Sequence, residues 1–264
     1  MYSYKKMKKV KSILKFSFLI VITFVSLLFI SCEDPEQDVF PELGHDGPYI
    51  ENSIYFGREE YVEYHSGSLP IILSAPHGGW MDPPEIPDRT QGTTQIDTNI
   101  YHLTKVIMDT LTARFGGKPH VILCLLERLK LDVNREELEA AEGNVYAERA
   151  WAEYHYYLDI AKELVTVNHG SGIAFDIHGH GENPDGYYDL RTWLGYLIKG
   201  DELDLPDEEL NTIAFKNKSS IRVLADSSAY TFINIVRGET SFGTIMDSLG
   251  YACVPSVNDL GPAG

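Results

Sequence analysis

The segment Asp176-Ile177-His178-Gly179-His180-Gly181 sets a carboxylate and two imidazoles at alternate positions. Side chains two apart on an extended strand share a face. Two imidazoles beside a carboxylate are a ligand source for zinc, with a carboxylate to support them from behind. Strand geometry can lapse at Gly179, so His178 and His180 both stand as ligands, and Asp176 as the supporting group or a ligand itself. A second candidate is Ser74-Ala75-Pro76-His77-Gly78-Gly79. There the two glycines predict a tight turn that leaves the imidazole exposed to a ligand; the alternative is a loop histidine making one hydrogen bond. The third is Arg128-Leu129-Lys130-Leu131-Asp132-Val133-Asn134-Arg135, whose two arginines and asparagine can grip a planar carboxylate. Its alternative is a surface salt-bridge cluster.

Several other chemistries lack their signatures. The chain has no His-Glu-x-x-His, no Gly-x-Ser-x-Gly around Ser74 or any other serine, no phosphate loop, no Gly-x-Gly-x-x-Gly opening a helix and no Cys-x-x-Cys. With those signatures absent, metal-assisted hydrolysis is the chemistry that remains.

The surrounding sequence predicts how these segments are positioned. Short apolar runs at 69–75, 121–126, 173–177 and 193–198 read as strands. The run 121–126 is apolar throughout, as in a strand buried on both faces. Ile96, Ile100, Leu103, Ile107 and Leu111 recur at helical spacing and stop at Gly116-Gly117; 146–165 reads as a second helix. Pro206-Asp207-Glu208-Glu209 begins another, and 242–249 closes with Gly250 as a cap. Strands separated by helices imply an α/β fold, with a mostly parallel or mixed sheet carrying helices on both faces. In such sheets sites form beyond the carboxyl ends of the strands, which selects 76–80, 127–135 and 176–182. All three are polar.

The 264 residues carry 22 bases and 39 acids, and all six lysines before residue 31 lie in a stretch without an acid. Without that stretch 16 bases face 39 acids, a balance of −23, which argues against a nucleic-acid partner. Apolar content of 44% and charged content of 23% are those of a folded chain rather than a disordered one. The early lysines precede an apolar run from Phe16 to Ile30, too short for the roughly 20 residues of a spanning helix but suited to a secretory signal. It ends in Leu28-Phe29-Ile30-Ser31-Cys32, which resembles a bacterial lipoprotein cleavage box. The expected organisation is a signal peptide over 1–31, lipidation at Cys32, an acidic flexible tether over 32–57 and a folded domain over 58–264. That domain is expected to be truncated at its C-terminus, since 258–262 stops in mid-loop. Such a protein is lipid-anchored at the cell envelope, on the outer membrane or cell surface, and meets the membrane through that anchor only. Cys124, inside an apolar run, is predicted to be a buried, inert thiol.

With these residues placed, the chain from about residue 69 onward resembles the N-formylglutamate amidohydrolase family. That family is related in fold to the zinc carboxypeptidases, aspartoacylase and succinylglutamate desuccinylase. Ser-Ala-Pro-His77-Gly-Gly resembles the family's strand-tip Pro-His-Ser-Gly, and Asp176-Ile-His178 its Asp-x-His. Asp132-Val-Asn134-Arg135, preceded by Arg128, resembles its Asp-x-Asn-Arg, and Asp97 its acidic position ahead of a helical leucine, here Leu103.

The resemblance implies a zinc carboxypeptidase-like fold and one Zn²⁺ held by His77, Asp97 and His178, with Asp176 and His180 left as supporting groups or rival ligands. It departs from the carboxypeptidases at Trp80, where they place a ligating glutamate. It further implies hydrolysis of an amide in a small carboxylate-bearing substrate, with Arg128 stabilising the oxyanion and Asn134 and Arg135 clamping the carboxylate. The general base in those enzymes is a late glutamate; Glu182 and Glu239 are available here. An envelope protein would meet N-acyl amino acids, peptides or polyglutamate as substrates. The alternative is a non-catalytic surface lipoprotein that binds carboxylated or glycan ligands in the same cleft.

Overall fold

The computed structural model describes residues 47–181 and 189–261. The signal peptide, Cys32, most of the tether and Glu182 lie outside the described residues. The chain folds as two compact units, one ending at Gly179 and the other beginning at His180, within the one or at most two domains that its length suits.

The first unit is built on a mixed sheet of β1 (Ile54–Phe56), β2 (Val62–His65), β3 (Ile71–Ala75), β4 (His120–Cys124) and β5 (Ile173–Asp176). The spatial order is β1-β2-β4-β3-β5. β3 runs parallel to both β4 and β5, whereas β2 is antiparallel to β1 and to β4. Three strands therefore end on one edge, and that edge carries the site.

Alternation of side chains explains the layers. Leu73, Ala75, Val121 and Leu123 point to one face and pack under Ile100 and Met108 of α1 (Ile100–Phe115). Their neighbours Ile72, Ile122 and Cys124 point to the other and pack under Tyr154, Tyr157, Ala161 and Val165 of α3 (Val145–His169). β4, wholly buried, is thus apolar at every position but His120, as a strand covered on both faces must be. α3 starts where the Asn144 side chain accepts from the Tyr146 and Ala147 amides, and Ala147, Ala150 and Ala161 keep its buried face slim. A short α2 (Glu137–Ala141) precedes it.

Four expectations from the sequence change. The helix read from Ile96 begins at Ile100, because Asn99 adopts a left-handed conformation (φ 68°) and the Asp97 amide donates to the His77 carbonyl at 3.0 Å. The stretch 96–99 is thereby pinned to the tip of β3 instead of joining the helix. The tether expected to reach residue 57 overlaps β1, which is held by aromatic packing of Tyr49 on Tyr55 and of Tyr64 on Tyr157 (centroids 5.0 and 5.1 Å). The absence of Lys and Arg that suggested a tether carries no information about tyrosine packing. The sheet is not covered evenly either, since the edge strand β5 is largely exposed.

The fourth change is the strand expected over 193–198, which shortens to β6 (Thr192–Trp193), paired in parallel with β7 (Cys253–Val254). Leu197 has φ 59° and cannot continue it. The second unit is otherwise helical: α4 (Gly200–Leu203), α5 (Asp207–Leu210), α6 (Ile213–Lys218), α7 (Arg222–Ser227), α8 (Phe232–Arg237) and α9 (Phe242–Ser248). Leu203, Leu210, Phe232, Ile233 and Val236 form its core. Cys124 and Cys253 are both buried free thiols, and burial pushes that of Cys124 up to about 12, which makes it unreactive at neutral pH.

Gly78 and Gly79 set how closely these elements meet. A Cβ on Gly78 would lie 2.6 Å from the Tyr101 amide nitrogen at the start of α1, and one on Gly79 would run into the Leu125 backbone. Backbone cannot step aside as a side chain can. Gly79→Ala is expected to destabilise the fold by about 1–3 kcal/mol, read as a lower denaturant midpoint at unchanged m-value.

Candidate metal centre

His77 follows β3 directly, and its imidazole is almost wholly buried, not exposed as the glycines suggested. The reason is the close approach just described: Gly78 and Gly79 let the start of α1 and the chain after β4 close over it. Asp97 arrives from the pinned stretch before α1, and His178 from just beyond β5. One ligand atom from each of His77, Asp97 and His178 lies within 4.8 Å of the others, the single such group among the described residues.

The two imidazoles are prepared in the same way. His77 Nε2 donates to Asp132 Oδ1 at 2.6 Å, and His178 Nε2 to Asp176 Oδ2 at 2.9 Å. The hydrogen-bond network thus assigns a proton to Nε2 of each ring. Each Nδ1 faces the Asp97 carboxylate, whose Oδ2 lies 3.6 Å from His77 Nδ1 and 3.2 Å from His178 Nδ1. His77 Nδ1 is buried and makes no hydrogen bond among the described residues. A buried acceptor without a partner costs about 1–3 kcal/mol, and a cation bonded to it removes that cost. A tetrahedral zinc ion with bonds of about 2.0–2.2 Å spaces its ligands by about 3.4 Å. The two imidazole–carboxylate spacings bracket that value.

Charge supports the same reading. Burial by itself would raise the Asp97 carboxyl, but hydrogen bonds from His178 and the Gly179 amide, with the neighbouring His77 imidazole, outweigh it and hold the group well below the usual carboxylate range. Asp132 is likewise depressed: burial opposes, while His77 and Arg128 prevail. Asp97 and Asp132 face Arg128, whose Nε is 3.0 Å from Asp132 and whose terminal nitrogen is 3.7 Å from Asp97, and Asp132 also lies 3.9 Å from Arg89, while Asp176 pairs with His178. Three negative charges meet two positive ones, and a proton on His178 makes up the difference when no ion is bound. Hydrogen bonds to Asp176 and Asp97, against the opposing effect of burial, push the His178 imidazole up to about 9.

The sign of the pH dependence follows. With its pKa raised from 6.5 to about 9, His178 contributes stability to the ion-free protein that is complete below pH 6.5 and lost as pH rises through about 9. The depressed Asp97 and Asp132 contribute above their ordinary 3.8 and lose that contribution only in strong acid, outside this window. The melting temperature of the ion-free protein is expected to fall between pH 6.5 and 9, and to stay level there in His178→Ala. An incoming cation must displace the same proton, so its affinity is expected to weaken as pH drops below about 9. Calorimetry in buffers of different ionisation enthalpy would detect the released proton.

Access comes from one side. His77 and Asp97 are buried, while the His178 side chain is 36% exposed. On that side the Asn134 amide nitrogen lies 3.4 Å from His178 Nε2. Arg135 is exposed beside it and pairs with Glu139 at 3.2 Å and with the Asn134 carbonyl. The 127–135 segment is thus divided: Arg128 reaches Asp97, Asp132 reaches His77, Asn134 stands at the rim, and Arg135 lies on the surface.

His180 belongs to the second unit and is absent from the convergent group. Its Nε2 donates to the Arg191 carbonyl at 3.0 Å and its ring stacks on Trp193 at 5.0 Å. Glu239 is exposed in the same unit. The residue that sequence reasoning left without a role is Asp132: its motif suggested a carboxylate-gripping loop, and nothing in the spacing says that one member turns inward beneath His77. Trp80, which takes the place of a carboxypeptidase-type glutamate, stacks edge-on against Tyr101 at 4.8 Å. No known protein family, no characterised protein and no solved structure matches this chain.

Proposed function

We propose that this protein is a zinc-dependent hydrolase that cleaves an amide bond in a small carboxylate-bearing substrate, on a zinc carboxypeptidase-like fold, lipid-anchored at the cell envelope through Cys32. The observation that carries the reading is the convergence of His77 Nδ1, His178 Nδ1 and Asp97 Oδ2, with the first left buried and unbonded. A zinc ion held there supplies a Lewis acid and a source of hydroxide at neutral pH. Asp132 and Asp176 keep both Nε2 atoms protonated and so direct both lone pairs inward. Arg128, 12% exposed beside Asp97, offers positive charge where a tetrahedral oxyanion would form. On this reading Asn134 at the open rim, with Arg135 next to it, orients a substrate carboxylate.

The test has two parts: metal content of the purified protein, and release of amine from a panel of N-acyl amino acids. Stoichiometric zinc together with turnover supports the proposal. Binding of carboxylated ligands or glycans without metal or turnover would favour a surface-binding lipoprotein instead.

A further inference from the structure

Ser74 lies on β3, three residues before His77, and is directly paired in register with Asp176 on β5. Partners across two parallel strands project to the same face of the sheet. The buried Ser74 hydroxyl donates to Asp176 Oδ1 at 2.5 Å, while Asp176 Oδ2 accepts from His178 Nε2 at 2.9 Å. Both carboxylate oxygens are therefore occupied, one by the neighbouring strand and one by the imidazole.

We infer that Ser74 is a positioning residue for the metal centre: it fixes Asp176, and through it holds the His178 ring with Nδ1 turned toward the ion. This inference rests on the reading of His77, Asp97 and His178 as metal ligands. A comparison of the two imidazoles shows why a serine is needed at only one of them. Asp132, behind His77, is wholly buried and already bonded to Arg128 Nε and the Asn134 amide, at 3.0 and 3.1 Å. Asp176, behind His178, sits at the end of an exposed edge strand with its side chain 46% accessible. A carboxylate so open to water can exchange its imidazole for solvent by turning about a single side-chain bond. The Ser74 hydroxyl, anchored in the sheet, opposes that rotation and couples the strand that delivers His77 to the orientation of His178.

The experiment measures zinc affinity by competition with a chromophoric chelator, on the full chain and at one pH. Ser74→Ala is expected to weaken binding by about 10–100-fold, the range for loss of an outer partner of a metal-ligating histidine. Ser74→Thr, which keeps a hydroxyl, is expected to retain most of the affinity. In an Asp176→Asn background, Ser74→Ala is expected to add little, because its effect runs through that carboxylate. Melting of the ion-free variants checks folding. Should Ser74→Ala fail to fold, Ser74→Cys, similar in shape but a weak donor, takes its place with the same expected loss. Wild-type affinity in the Ala or Cys variant overturns the inference while leaving the metal centre intact. So does a full loss that persists when Asp176 is already Asn. A wild-type protein that binds no zinc overturns the reading of the centre, and the role of Ser74 with it.

Discussion

On the proposed reading, His77→Ala is expected to weaken zinc binding by more than the roughly 100-fold that loss of an outer partner costs. The substitution removes the most buried of the three ligands. It also leaves a carboxylate and an imidazole, of which His178 has only part of its ring out of water. Two donors, one at a half-open edge, do not hold a tetrahedral ion well. Equilibrium dialysis followed by elemental analysis gives the stoichiometry, and circular dichroism confirms that the variant folds. The control is His180→Ala. That ring stacks on Trp193 and bonds to the Arg191 carbonyl, outside the convergent group, and its loss is expected to leave zinc binding unchanged. A zinc affinity that falls with His180 and survives the loss of His77 would reverse the ligand assignment.

Asp132→Ala is expected to cost about 3–5 kcal/mol of folding stability, the range for breaking a buried ion pair by removing one partner. Asp132 is fully buried and answers three donors: His77 Nε2, Arg128 Nε and the Asn134 amide. Each would lose its acceptor in a place where water cannot easily replace it. The same change frees His77 to put its proton on Nδ1, which blocks the lone pair the ion needs. Zinc affinity is therefore expected to fall together with stability, whereas Asp132→Asn, which keeps an acceptor oxygen, should recover part of both. Urea unfolding of the ion-free protein isolates the first effect, and chelator competition on the folded variants isolates the second. A folded Asp132→Ala protein with wild-type stability would show that the network under His77 is not what holds it.

Much of the scaffold was legible because it rests on local signals. The apolar runs at 69–75 and 121–126 contain or overlap the strands at 71–75 and 120–124, and the helical spacing of Ile100, Ile107 and Leu111 and the stops at Gly116 and Gly250 appear where the sequence placed them. The parallel arrangement of β3, β4 and β5 followed from strands separated by helices, and it puts the three polar tips on one edge. The hairpin of β1 and β2 was not legible, since part of its cohesion comes from Tyr157 of α3 packing on Tyr64, a pair far apart in the chain. Nor was the division at Gly179, which depends on where contacts accumulate rather than on any change in composition.

The candidate site divides along the same line. The sequence by itself offered His77, Asp176, His178 and His180 as candidates at strand tips, and the resemblance added Asp97 ahead of a helix; it gave Asp132 no role. What only the tertiary structure decided was direction. His77 turns inward under Asp97 and Asp132, His178 faces the open side, His180 leaves with the second unit, and Arg135 turns to Glu139. Residue type and spacing constrain which face of an element a side chain occupies, because those follow from local backbone geometry. Which imidazole nitrogen carries a proton, and which carboxylate it meets, depends on partners contributed by other strands, and these are set only when the sheet assembles.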